Sequence, residues 1–124
     1  QLMARGLQKH QDYKNALSLL GKTLLRRSQR KCELSEERGE LVIYDLDDPK
    51  TDPSLEHILH VSPKIRDCLD GQKINPAEMR CLETAVWSEH NAIRRAAIIL
   101  LKRLDESWAR DALESAMMMD DFED

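Results

Sequence analysis

Hydrophobic positions follow a helical period over residues 12–30, where Tyr13, Ala16, Leu17, Leu20 and Leu24 share a face and Leu19 and Leu25 widen it. Asp12 can cap this helix, and its cations gather toward the C-terminal end, where they complement the dipole. Gly21 costs about 1 kcal/mol against Ala in a helix, so it predicts close packing or a break. Residues 1–11 are polar and weakly patterned, as in a frayed helical lead-in. Residues 31–39 read as a loop or tight knuckle ending at Gly39. The pattern then changes: residues 40–46 are rich in β-branched and aromatic side chains and predict a strand. Residues 47–53, with Pro49, Pro53 and three aspartates, predict a turn. Residues 55–61 suit a second strand, which would pair with the first as an antiparallel hairpin, or a short helix.

Helical periodicity returns after Ser62-Pro63, where Ser can cap and Pro suits the first turn. Ile65, Cys68 and Leu69 form a short apolar face, and Gly71 ends it. The strongest stretch is residues 75–104. Asn75 caps, Pro76 takes the first helical position, and Glu78 is placed to reach back to the cap amide. Met79, Leu82, Ala85 and Val86 then face inward, and Ser88 interrupts. Ala92, Ile93, Ala96, Ile99, Leu100 and Leu104 make a broad stripe, with Ile98 and Leu101 adding burial on a second side. Asp105 or Ser107 can cap a last helix, in which Trp108, Ala112, Leu113, Ala116 and Met117 are spaced for packing. The acidic residues 120–124 read as a frayed tail.

These elements predict an α+β fold, predominantly α. A small antiparallel hairpin stands between an N-terminal helix and a C-terminal body of three to four helices. At 124 residues the chain suits a single domain, spanning 1–124. Aromatic residues make up only 4%, so Leu, Ile, Ala and Met must fill the core, which favours helices. Three cysteines without framework spacing, and no apolar leader in residues 1–11, predict a reduced, cytoplasmic protein. The longest apolar run, residues 96–101, is too short to cross a membrane, so no membrane partner is expected.

Charge divides the chain unevenly. Residues 1–31 carry eight Lys or Arg against one acid, a net +7, and the other 93 residues must sum to −11 within the overall −4. A basic arm of this kind either solvates a docked helix or meets a polyanion.

Several segments together resemble the PhnA-like family, named after an alkylphosphonate-utilisation operon. They are Arg80-Cys81-Leu82, Trp87-Ser88-Glu89, Leu101-Lys102-Arg103-Leu104, Trp108-Ala109 with Asp111 and Leu113, and Met117-Met118. Upstream, Leu24-Leu25-Arg26-Arg27-Ser28, Cys32-Glu33-Leu34 and Leu41-Val42-Ile43-Tyr44 also match, so the similarity covers about residues 22–120. The resemblance implies a zinc ribbon, with two Cys-x-x-Cys knuckles at the ends of the hairpin. Structural zinc takes four thiolates or imidazoles in a tetrahedron. This chain keeps Cys32 but has Ser35 at the next ligand position. The second knuckle falls on Ser62 and Ile65, or, shifted by one, on Val61 and Lys64. One thiol of four remains, which predicts a degenerate ribbon over residues 32–71 without zinc or other cofactor. His57 and His60 lie on opposite faces if their segment is a strand; in a helix they could meet Cys32. Members often carry a further small β-barrel-like domain at the C-terminus, for which these residues hold no counterpart.

The function expected is that of a non-enzymatic interaction or regulatory module meeting a protein or nucleic acid. Arg26, Arg27, Arg30 and Lys31 are the candidate partner-binding residues. The alternative is an enzyme or accessory factor of phosphonate metabolism. No Gly-rich phosphate loop or metal-carboxylate pair supports it, and no catalytic residue is assigned. A Cys81 nucleophile with His90 as base would need contact across a helix break, and Cys81 reads better as a packing residue. Trp87 and Trp108 read as core or seam residues. Residues 117–119, three methionines, offer an adaptable contact for a homo-oligomer.

Overall fold

The computed structural model describes residues 2–47 and 53–123, with side chains over 11–47 and 53–118. Five α-helices and one two-stranded sheet appear among the described residues: α1 Leu2–Ser28, β1 Val42–Asp45, β2 Ile58–Val61, α2 Pro63–Leu69, α3 Leu82–Ala85, α4 Asn91–Lys102 and α5 Ser107–Glu123. The chain is α+β and mostly helical, with the hairpin between the first helix and the other four. The turn expected over residues 47–53 falls largely outside the described residues.

The hairpin is antiparallel, pairing Val42 with Val61, Ile43 with His60, Tyr44 with Leu59 and Asp45 with Ile58. Side chains alternate between faces of a strand, and directly paired residues share a face. Leu59 and Val61, with Val42 and Tyr44, therefore face the large hydrophobic cluster built by the C-terminal helices. Ile43, Asp45, Ile58 and His60 face the other way, toward α1. Every residue of β2 is buried, whereas β1 is only partly covered. The helix reading of residues 55–61 is thereby excluded over the paired part. The cause is tertiary: β2 is covered by α1 on one face and by the helical body on the other.

Helix α1 runs unbroken through Gly21. A Cβ added there would stand 3.9 Å from the Ile43 side chain, an ordinary contact, so this glycine is neither a break nor a forced close approach. The frayed lead-in expected over residues 1–11 is helical from Leu2. Its end is a Schellman-type turn, Arg30 N–H donating to Leu25 O at 3.2 Å and Gln29 N–H to Arg26 O at 3.3 Å. Gln29 and Arg30 both take left-handed backbone angles, at φ 56° and 62°. Leu24, fully buried, fixes α1 to the hairpin; burying such a side chain is worth roughly 1.5–3 kcal/mol.

Helix α4 is the centre of the body, packing against α2, α3, α5 and β2. Ala92, Ala96 and Ala97 are fully buried and let neighbours approach closely, while Ile93, Leu100 and Leu101 supply volume. Ile99, placed in the buried stripe by periodicity, is instead 39% exposed. Ser62 caps α2 by accepting from Ile65 N–H at 3.3 Å, and Arg103 donates to the carbonyls of Cys68 and Gln72 beyond the other end. The helix expected from Asn75 divides into a 3-10 turn, Pro76–Glu78, and the single turn α3. Asn75 does cap, accepting from Ala77 N–H at 3.2 Å. Glu78 does not reach back to it, because its carboxylate is held by Lys64. Helix α5 begins at Ser107, which places Asp105 two residues before it and paired with Arg110 at 2.8 Å, and α5 continues through the tail expected to fray, as far as Glu123.

Candidate interaction face

The four cations proposed as partner-binding residues have different environments. Arg27 faces the hairpin and is only 10% exposed. Its guanidinium grips Glu33 with two bonds, Nε to Oε2 at 2.7 Å and an amino group to Oε1 at 2.9 Å. It also donates to Leu55 O at 3.1 Å and Ile58 O at 3.0 Å. Glu33 Oε1 accepts from His60 N–H as well, at 2.8 Å. Arg27 is thus a structural clamp tying α1, the knuckle and β2 together, and it is not available to a partner. The reason is helical geometry: at 100° per residue, one step along α1 carries a side chain from the solvent side to the hairpin side. Lys31 is half-buried at the base of the knuckle, where its backbone bridges that of Arg38. Arg26 and Arg30 are exposed and form no ion pair with another described residue.

A second polar cluster, which no sequence motif announces, fixes the other part of α1. Tyr13 donates its hydroxyl proton to Asp45 Oδ2 at 2.6 Å, and Asp45 Oδ1 lies 2.9 Å from the His57 ring. Asp47 bonds back through its amide to Asp45 at 2.9 Å and pairs with Arg95 of α4 at 2.8 Å. Burial, and then the Asp45 carboxylate, drive the Tyr13 hydroxyl well above its ordinary range. It stays a protonated donor and cannot serve as a base. Arg95 holds the partly exposed Asp47 below the usual carboxylate range. The cluster joins α1, the hairpin and α4.

The positions to which the resemblance assigns the ribbon's ligands lie around residues 32–37 and 61–65. Residues 32–37 form a tight turn: Glu36 N–H donates to Cys32 O at 2.8 Å, Cys32 N–H to Glu37 O at 2.9 Å, and Ser35 N–H to Cys32 Sγ at 3.4 Å. Ser35 faces Ser62, Lys64 and Ile65 across a cleft of about 190 Å³. The positions at which the resemblance would place the two knuckles therefore line one cleft, but their side chains do not suit zinc. The Ser62 hydroxyl accepts from Ile65 N–H, and Lys64 carries an ammonium paired with Glu78. Cys32, Ser35, Ser62 and Ile65 offer one thiol, two hydroxyls and an apolar side chain, and the shifted pair, Val61 and Lys64, adds no thiolate or imidazole, so neither set makes a tetrahedral sulfur and nitrogen site. The histidines do not complete one either. His57 turns to Asp45, while His60 is buried between Glu33 and Arg27 with Nδ1 lacking a hydrogen-bond partner. Among the described residues no group of three or more His, Cys, Asp or Glu could hold a metal.

No contact joins Cys81 and His90, the pair that an enzyme reading would have needed. Cys81 is half-buried at the start of α3; burial, then Cys32 and the glutamates of the knuckle, push its thiol up, away from a reactive thiolate. His90 is exposed at the start of α4, with Glu89 3.9 Å from its ring. Trp87, read as a core or seam residue, is 51% exposed, whereas Trp108 is partly buried under Arg80, 4.7 Å from the ring centre. Met117 and Met118 are exposed on α5; Met119 lies outside the described side chains. No helix among the described residues is long and apolar enough to cross a membrane. No protein-family model, curated protein or solved structure matches this chain.

Proposed function

We propose that this chain is a non-enzymatic, PhnA-like interaction module that meets a protein or nucleic-acid partner through the outward side of α1. The observation that carries the reading is the separation of Arg27 from Arg26 and Arg30. The first is buried against Glu33 and holds the helix in place; the other two are left exposed and without ion pairs among the described residues. A rigidly anchored helix presenting free cations loses little entropy on contact. The absence of an assembled nucleophile and base at Cys81 and His90 favours contact over catalysis.

The test is a pull-down from cell extract, with and without nuclease, comparing the chain with an R26E/R30E variant. The variant should lose its partners, and capture should weaken as salt rises. Capture of the same set by both proteins at the same salt would overturn the reading.

A further inference from the structure

The outward side of α1 carries more than charge. Leu19, Lys22 and Arg26 stand at i, i+3 and i+7, all exposed, with Leu19 at 79%. By helical rotation they lie opposite Leu24, the buried anchor. Helix α5 presents a matching set. Asp111, Glu114 and Met118 also stand at i, i+3 and i+7, all exposed, with Met118 at 57%, opposite the buried Ala109 and Ala116. Neither the two cations nor the two carboxylates form an ion pair with another described residue.

We propose that the outward side of α1 docks antiparallel on α5 of a second copy of this chain, with Leu19 against Met118, Lys22 against Glu114 and Arg26 against Asp111. The proposal rests on the reading that the outward side of α1 is the contact surface, and it names the partner. Both sets span seven residues, about 10.5 Å of helix, so the outer pairs coincide and the middle pair is offset by one residue, about 1.5 Å. A lysine stem absorbs that offset. Within one chain α1 lies on one face of the hairpin and α5 packs on α4 beyond the other face, so the two sets do not serve each other.

Charge and apolar exposure together select a protein over a nucleic acid. The first 31 residues carry +7, whereas residues 105–124 hold eight carboxylates and one Arg. A polyanion would meet an acidic remainder of −11. An acidic helix with a methionine matches both the cations and Leu19, for which a phosphate backbone has no use. One helix pair buries less than a standard interface, so a stable dimer needs two such contacts related by two-fold symmetry, each α1 on the other copy's α5.

Sedimentation velocity on the full chain at low and high salt tests this, with circular dichroism confirming that each variant is folded. The wild-type chain should self-associate at low salt and weaken by about tenfold or more at high salt. The K22E/R26E and D111K/E114K variants should both be monomeric. The chain carrying all four reversals should associate again, a recovery that general loss of solubility or structure does not produce. A wild-type chain that is monomeric at low salt and high concentration overturns the proposal, as does a D111K/E114K variant that associates like wild type. Salt-sensitive binding of an oligonucleotide by a monomeric chain, lost in K22E/R26E, overturns it in favour of nucleic acid. The D111K/E114K variant leaves α1 intact; if the chain is monomeric and this variant still captures Arg26-dependent partners, only the self-pairing has failed and the contact-surface reading stands.

Discussion

Arg26 and Arg27 are adjacent in sequence and belong to two different regions of the molecule. On the hairpin side of α1, Arg27 is surrounded by acceptors: both oxygens of Glu33 and the carbonyls of Leu55 and Ile58. On the solvent side, Arg26 sits with Lys22 and the exposed Leu19, with no ion pair among the described residues. The hairpin side uses charge to fix a geometry, because a desolvated carboxylate such as Glu33 cannot remain without a partner. The solvent side leaves charge in water, where each pair is worth little and is screened by salt. Residue type alone does not separate the two roles; the neighbours that folding brings do.

The largest effect expected is at the clamp. Arg27→Ala leaves Glu33 buried without its cation and should cost about 3 kcal/mol or more of folding stability, read from urea unfolding. Arg26→Ala, one residue away, should leave the midpoint essentially unchanged. Equal effects from the two would abolish the distinction between the sides.

Next comes a pH dependence from the hairpin side. His60 is buried with an unpartnered Nδ1, and its pKa is lowered from 6.5, first by burial and then by Arg27, with Glu33 opposing. A depressed histidine is neutral in the folded chain while the unfolded chain takes up its proton. The associated stability is therefore fully present above pH 6.5 and is lost as pH falls from there toward the folded value, at no more than about 1.4 kcal/mol per pH unit for one proton. Unfolding midpoints measured from neutral to mildly acidic pH should fall, and His60→Gln should flatten that slope. Asp47 loses its contribution only as pH falls below its ordinary 3.8, so the two windows are separate.

Smaller changes probe how α1 is seated. Tyr13→Phe removes the hydroxyl bonded to Asp45 and should cost about 1 kcal/mol by urea unfolding. A neutral result would mean that α1 is held by Leu24 and Arg27 alone. Gly21→Ala should stabilise by about 0.5–1 kcal/mol, since it adds helix propensity and its new methyl meets Ile43 at an ordinary distance. Destabilisation instead would mean that α1 sits closer to the hairpin than it does here.

Much of the fold was legible because the signals were local. Ser62-Pro63 and Asn75-Pro76 mark helix starts by their own hydrogen bonding, and the first strand announces itself by β-branched and aromatic residues, whereas residues 55–61 left strand and helix both open. Legibility failed wherever a distant group intervened. Glu78 abandoned its cap for Lys64, fourteen residues earlier in the chain. Ile99 fits the helical period, but α4 has no neighbour on that side among the described residues to cover it fully. Of the candidate site, the basic character of α1 was readable and the division among its cations was not. The clamp joins residues 27 and 33 with 55, 58 and 60, and the Tyr13 cluster reaches across to residue 95; neither separation leaves a pattern in the chain.

The amino-acid sequence by itself determined the order of elements, the helical character of the core and the imbalance between a basic first helix and an acidic remainder. These follow from periodicity, capping and composition, which act within a few residues. Only the tertiary structure decided that β2 is buried on both faces, that Arg27 is a clamp while Arg26 remains exposed, and that Tyr13, Asp45, His57, Asp47 and Arg95 form one connected cluster. Burial and charge pairing depend on which surfaces meet, and that is set by the packing of whole elements.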